Sequence, residues 1–141
     1  SAGARGLMQL MPPTAKAVAK RQGVKYVQSR LTSDPAYNLT LGSAFLRSLV
    51  DNFDGSYVMA AAAYNAGPGR VRQWVHQYGD PRDGQTDPVD WVEMIPFSET
   101  RGYVQRVMEN VMIYRAKLAK TRVVGGTLET ELVRAKPGAK G

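Results

Sequence analysis

Three short segments combine glycine or proline with uncharged hydrogen-bonding side chains: Gly3-Ala4-Arg5-Gly6-Leu7-Met8-Gln9-Leu10-Met11-Pro12, Ala62-Ala63-Tyr64-Asn65-Ala66-Gly67-Pro68-Gly69, and Ile95-Pro96-Phe97-Ser98-Glu99-Thr100-Arg101-Gly102-Tyr103. That mixture suits sugar recognition. A pyranose offers hydroxyl and acetamido groups to polar side chains and an apolar face to aromatic or methionine side chains. Other chemistries lose their reagents. The chain has no cysteine, which removes thiolate nucleophiles, disulfides and Cys-based zinc sites, and His76 is its only histidine, which removes any metal site built from several imidazoles. His76 follows Trp74-Val75 and reads as a surface imidazole with no role. Gly67-Pro68-Gly69 could imitate an anion-binding nest, but no phosphate motif accompanies it, so a helix connector is the simpler reading. No metal and no cofactor is expected.

The elements that must position these segments are helices. Pro13 to Gln22 reads as a helix with proline near its start and Gly23 after it. Ser33-Asp34-Pro35 starts the next, with the serine or the aspartate as cap. From Tyr37 to Phe53 the residues Tyr37, Leu41, Phe45, Leu49 and Phe53 recur every fourth position, with Ala44 and Leu46 widening the stripe, as a packed helix requires. Asp54-Gly55-Ser56 interrupts. Tyr57 to Ala63 restarts a helix so rich in alanine that a neighbouring helix can approach its backbone closely. After the Gly67-Pro68-Gly69 turn, Val71, Trp74, Val75 and Tyr78 mark a short amphipathic helix closed by Gly79. Asp80 to Pro88 is a loop, Asp87 to Met94 a brief helix ended by Pro96, and Ser98 to about Lys120 a long core helix weakened only at Gly102. The fold class is all-α, with room for a minor β-hairpin in the first quarter.

At 141 residues the chain fits one domain. Hydrophobic residues at 43% and charged residues at 22% are ordinary for a globular protein, and no apolar run is long enough to span a bilayer. Nineteen Lys+Arg against twelve Asp+Glu give a formal charge of +7, which favours an acidic partner: nucleic acid, anionic lipid or a carboxylate-bearing cell wall. The basic residues are scattered, so a solvated surface explains them equally well. Nucleic-acid binding has only the charge behind it and lacks a helix-turn-helix or stacking signature.

The three segments, in this order and at these separations, resemble the soluble lytic transglycosylases with the lysozyme-like fold, to which goose-type lysozyme is structurally related. Gly-Leu-Met-Gln-Leu-Met-Pro, Ala-Tyr-Asn-Ala-Gly-Pro-Gly and Ile-Pro-Phe-Ser-Glu-Thr-Arg-Gly-Tyr-Val carry the resemblance, which runs from Gly3 to about Tyr114. It implies a lysozyme-like transglycosylase domain over residues 1–120 lacking its N-terminal segment, while Gly125-Gly126, Pro137-Gly138 and the lack of sustained periodicity mark residues 121–141 as a largely irregular tail. It also implies that the general acid, the glutamate of a Glu-Ser pair, lies upstream of Ser1, so that this chain alone is inactive.

In the family one carboxylic acid protonates the β-1,4 oxygen between N-acetylmuramic acid and N-acetylglucosamine, then serves as base on the muramic C6 hydroxyl. That hydroxyl closes on the anomeric carbon and gives a 1,6-anhydro product, whereas ordinary glycosidases need a second carboxyl group. The acid keeps its proton in an apolar setting. Leu7, Met8 and Met11 suit such a wall, with core packing as the alternative. The resemblance gives Gln9 a hydrogen bond to the sugar, Tyr64 a hydroxyl directed at the catalytic centre, and Asn65 either a turn role or a sugar contact. Glu99 would orient the sugar or tune the acid, unless it is simply a first-turn carboxylate favoured by the helix dipole with Ser98 as cap. Tyr103, one turn on, would face the same groove. The implied partner is the peptidoglycan glycan strand, met by a monomer in the periplasm or cell envelope. A noncatalytic peptidoglycan-binding module and a lysozyme-like hydrolase are the alternatives.

Overall fold

The computed structural model describes residues 3–118 and divides into two compact units, Ser1–Ser48 and Leu49–Gly141. The tail expected over residues 121–141 lies outside the described residues. No named strand occurs among the described residues. The room left for a hairpin is taken by one antiparallel bridge between Arg5 and Leu10.

In the first unit, α1 (Pro12–Gln22) begins on the proline pair and stops at Gly23, whose φ of 66° is the left-handed geometry that a helix C-cap needs and glycine supplies at least cost. A single helical turn, α2 (Arg30–Ser33), precedes α3 (Pro35–Asn52). Of the two candidate caps for α3, Asp34 does the capping: its Oδ1 accepts the Tyr37 N–H at 3.1 Å. Arg30 grips the same carboxylate at 2.7 Å and, with the backbone donor, holds it below the usual aspartate range. Leu10, Val18, Leu31, Tyr37 and Leu41 form the core of this unit, with the Tyr37 hydroxyl satisfied between Val27 N–H and the Lys25 carbonyl. The α3 stripe is narrower than the spacing suggests, because Leu46 is exposed and Phe45 only half-buried.

The second unit starts within α3. Asp54 and Gly55, both at positive φ, reverse the chain, and Ser56 caps α4 (Tyr57–Ala66) by accepting the Met59 N–H. Val58 to Ala63 are all buried, as they must be where α4 packs against both α5 (Pro68–Tyr78) and α7 (Ser98–Leu118). Methyl side chains let the backbones approach without costing rotamer entropy. α6 (Pro88–Met94), capped by Asp87 through the Val89 and Asp90 N–H groups, packs against α7. Trp74 meets the edges of Trp91 and Phe97 at centroid distances of 6.4 and 5.6 Å, in the T-shaped geometry that aromatic quadrupoles favour. Arg82 joins Asp80 and Asp54 through 2.6 and 2.8 Å contacts, fixing the α5–α6 loop to the turn before α4.

Candidate active site

In the first unit the Gly-Leu-Met-Gln segment is a tight turn. Arg5 and Leu10 exchange backbone hydrogen bonds of 2.9 and 3.0 Å, and the Gln9 N–H closes onto the Gly6 carbonyl at 3.0 Å. Gly6 and Gln9 have φ values of 72° and 49°; the first suits glycine, while the second strains a residue with a side chain and is offset locally. Gln9 Nε2 donates to the Gly6 carbonyl at 2.8 Å. Among the described residues nothing donates to Gln9 Oε1, so this exposed side chain offers an acceptor in a fixed place.

What holds the turn is Asn38, a residue not singled out in the sequence. It is fully buried on α3, accepts the Met8 N–H at 2.8 Å, and donates to the carbonyls of Arg5 and Leu31 at 3.0 and 3.1 Å. One amide thus satisfies three backbone groups that would otherwise be buried without partners. The signal was available: Asn38 shares a helix face with Leu41 and Leu31 lies nearby, so a polar side chain there had to find partners. Met8 lies against Gly42, where an added Cβ would collide with its side chain. Core packing, the alternative weighed for Leu7, does not hold, since Leu7 is 73% exposed, and Met11, at 42%, stands at the start of α1. The turn forces this, since anchoring Met8 and Leu10 inward leaves Leu7 on its outer face.

In the second unit Tyr64 and Asn65 close α4, and Glu99, Thr100 and Tyr103 open α7. The packing of α4 on α7 brings the two segments together. Thr100, buried, donates its hydroxyl to Asn65 Oδ1 at 2.7 Å. Burial pushes the Tyr64 phenol up to about 12, with the neighbouring Tyr103 adding to the shift; burial also raises Tyr103, against the opposing pull of Arg106. Both phenols therefore keep their protons at neutral pH and can donate. Glu99 is exposed in the first turn of α7 and makes no ion pair or hydrogen bond among the described residues. Arg101 braces the segment by donating to the Ile95 carbonyl at 2.6 Å, and Arg70 stacks over Phe97 at 4.7 Å. Gln9 and Met11 belong to the first unit, and Tyr64, Asn65, Glu99 and Tyr103 to the second. Sequence reasoning passed over Thr100, although it precedes Val104 and Met108 by one and two turns and so lies on their buried stripe.

Two concavities, one of about 520 Å³ lined by Gln22, Leu39, Thr40, Ser43, Ala44 and Arg47 and one of about 90 Å³ between α6 and α7, include none of these residues. No helix of the described residues is long and apolar enough to cross a membrane.

The raised phenols give a pH signature. A tyrosine whose folded pKa exceeds its unfolded value of 10.0 costs no stability below that value and costs progressively more as pH rises towards about 12. Phenolate absorbance from Tyr64 should appear only near pH 12, so Tyr64→Phe should remove absorbance that develops there. Loss of absorbance near pH 10 in Tyr64→Phe, with none near pH 12, would contradict a Tyr64 phenol raised by burial.

Comparison with known proteins places these segments. The family model described as the transglycosylase SLT domain matches residues 1–86, and that described as the soluble lytic transglycosylase helical domain matches residues 94–122. The soluble lytic murein transglycosylase of Escherichia coli (strain K12) is 42% identical over 114 residues, covering 80% of this chain and 17% of that protein. Among solved structures, an inactive mutant of the lytic transglycosylase Slt from Pseudomonas aeruginosa is 45% identical with a TM-score of 0.71, over 82% of this chain and 18% of the other. The 70 kDa soluble lytic transglycosylase from Escherichia coli is 38% identical with a TM-score of 0.76, over 94% of this chain and 20% of the other. The chain therefore spans about a fifth of the length of these relatives. The all-α class and lysozyme-like fold expected from the sequence agree with these neighbours. With a family model covering more than half of the chain and carrying two of the three segments entire or in large part, the chain belongs to the transglycosylase SLT domain family.

Proposed function

We propose that this chain is the larger part of the catalytic domain of a peptidoglycan lytic transglycosylase. It acts on glycan strands in the periplasm or cell envelope, as a monomer and without a cofactor, during cell-wall turnover. The reaction breaks the β-1,4 bond between N-acetylmuramic acid and N-acetylglucosamine. The muramic C6 hydroxyl attacks the anomeric carbon, the acid protonates the departing oxygen and then accepts the C6 proton, and a 1,6-anhydro end results with no water consumed.

The observation that carries this reading is the cluster at the α4–α7 junction. Two half-buried phenols, protonated at neutral pH, and an anchored amide stand with a single exposed carboxylate, Glu99, so the cluster supplies hydrogen-bond donors and not the paired carboxyls of a two-acid glycosidase. In this reading Tyr64 donates at the reacting centre, with Glu99 supporting, while Gln9, Met11, Asn65, Glu99 and Tyr103 contact substrate. The general acid is the glutamate of a Glu-Ser pair outside Ser1–Gly141.

Mass spectrometry of products from purified murein tests the proposal, with this chain compared against the full-length protein carrying the Glu-Ser pair. Anhydromuropeptides from the full-length protein alone are expected. Reducing-end products would make it a hydrolase, and binding without any product would make it a noncatalytic peptidoglycan-binding module. Turnover by Ser1–Gly141 itself would mean that Glu99 or another carboxyl acts as the acid.

A further inference from the structure

We propose that Thr100 is a positioning residue that sets which end of the Asn65 amide faces substrate. The inference rests on the transglycosylase reading, in which Asn65 contacts a sugar group.

Thr100 is the third residue of α7 and 2% exposed. A buried hydroxyl must place its hydrogen, since an unpaired one is costly, and a threonine in a helix ordinarily finds the carbonyl one turn back. Here the hydrogen goes across to α4, to Asn65 Oδ1 at 2.7 Å. The two residues differ in kind: Thr100 is buried and Asn65 exposed. The bond is therefore anchored on the core side and open on the other.

A carboxamide has an accepting end and a donating end, and its terminal torsion is soft enough to exchange them. With the oxygen accepting from Thr100 the nitrogen end is the one left, and exchanging the ends would set an Nδ2 hydrogen on Thr100 Oγ1 and take this acceptor from the buried Thr100 hydrogen. Among the described residues no group takes the two Nδ2 hydrogens. Asn65 is thus a pair of oriented donors beside the neutral Tyr64 phenol, matched to sugar oxygens or an acetamido carbonyl. Releasing the amide would let it present its oxygen instead, and a bound acceptor would have to reorder it. In this reading Asn65 holds the strand alike in the ground state and the transition state, so loss of its orientation falls mainly on binding.

The test uses the full-length protein and soluble glycan strands, with Thr100→Val, which keeps the shape but lacks the hydroxyl, and Thr100→Ser, which keeps the hydroxyl. Each is made alone and with Asn65→Ala. Thr100→Val should raise KM about fivefold and change kcat less than about twofold. Its Tm should move by no more than about 4 °C, because Asn65 is an exposed residue whose released amide can turn to water. Thr100→Ser should return KM to within about twofold of the parent, and in the Asn65→Ala background Thr100→Val should add less than about twofold. Calorimetric affinity for the same strands reads the pair without turnover and should weaken in parallel. KM and affinity unchanged in Thr100→Val would overturn the proposal. So would a loss that persists undiminished once Asn65 is alanine, since Thr100 would then act by packing. A parent protein that binds strands with this Thr100 dependence yet releases no anhydro product would sink the transglycosylase reading and leave the positioning role intact.

Discussion

Gly6→Ala is expected to destabilise the protein by about 4 kcal/mol, the largest effect of any single methyl group added to the first unit. Two independent costs combine. At φ 72° a side chain meets the following carbonyl, worth about 1–2 kcal/mol. The added Cβ would also lie well inside van der Waals contact with the Leu31 carbonyl oxygen and Asn38 Nδ2. Neither can withdraw freely, because the first is backbone and the second is the amide that satisfies Met8, Arg5 and Leu31. Moving Asn38 leaves buried polar groups unpaired, at about 1–3 kcal/mol each. Urea unfolding is the measurement, read as a shift in midpoint at constant slope. A loss below about 1 kcal/mol would show that the turn opens easily and that Asn38 does not hold it. Gly42→Ala makes a useful contrast, since the collision there is with the Met8 side chain, which is flexible.

The second large effect falls on turnover. In the full-length protein Tyr64→Phe should lower kcat about 100-fold while leaving KM within a few-fold, because a donor placed at a reacting centre matters most in the transition state. The ring stays. Phenylalanine keeps the packing at the end of α4 and removes only the hydroxyl, whose raised pKa makes it a neutral donor at any working pH. The activity should accordingly show no alkaline limb from Tyr64 below about pH 10. A kcat within threefold of the parent would remove Tyr64 from the catalytic centre and leave it as a core residue with a satisfied hydroxyl.

Much of this was legible before any coordinates. The Tyr37–Leu41–Leu49–Phe53 spacing marks α3, the alanine run marks the helix that others crowd, and Asp34 is one of the two caps offered for α3, whereas the caps Ser56 and Asp87 emerged only with the structure. Periodicity and capping are local, so composition within a turn or two suffices. The segments around Gln9, Tyr64 and Glu99 stood out for a related reason, since glycine and proline beside polar side chains serve poorly as mere scaffold.

Where local pattern failed, distance in the chain was the cause. For Leu7 the sequence left an apolar wall and core packing both open, and it is exposed because the turn can face only one side inward. Leu46 looks like part of the α3 stripe, but nothing in the described packing covers it.

The sequence by itself determined the helices of the described residues other than the single turn α2, their boundaries within a few residues and the family, because these follow from short-range periodicity and from contiguous motifs. Only the tertiary structure decided what those motifs rest on. Asn38 reaches the Gly6 turn across thirty residues, and Thr100 reaches Asn65 across thirty-five. A buried hydrogen bond can be required by burial, but its partner is set by which backbone or side-chain group the packing of separate helices brings within about 3 Å.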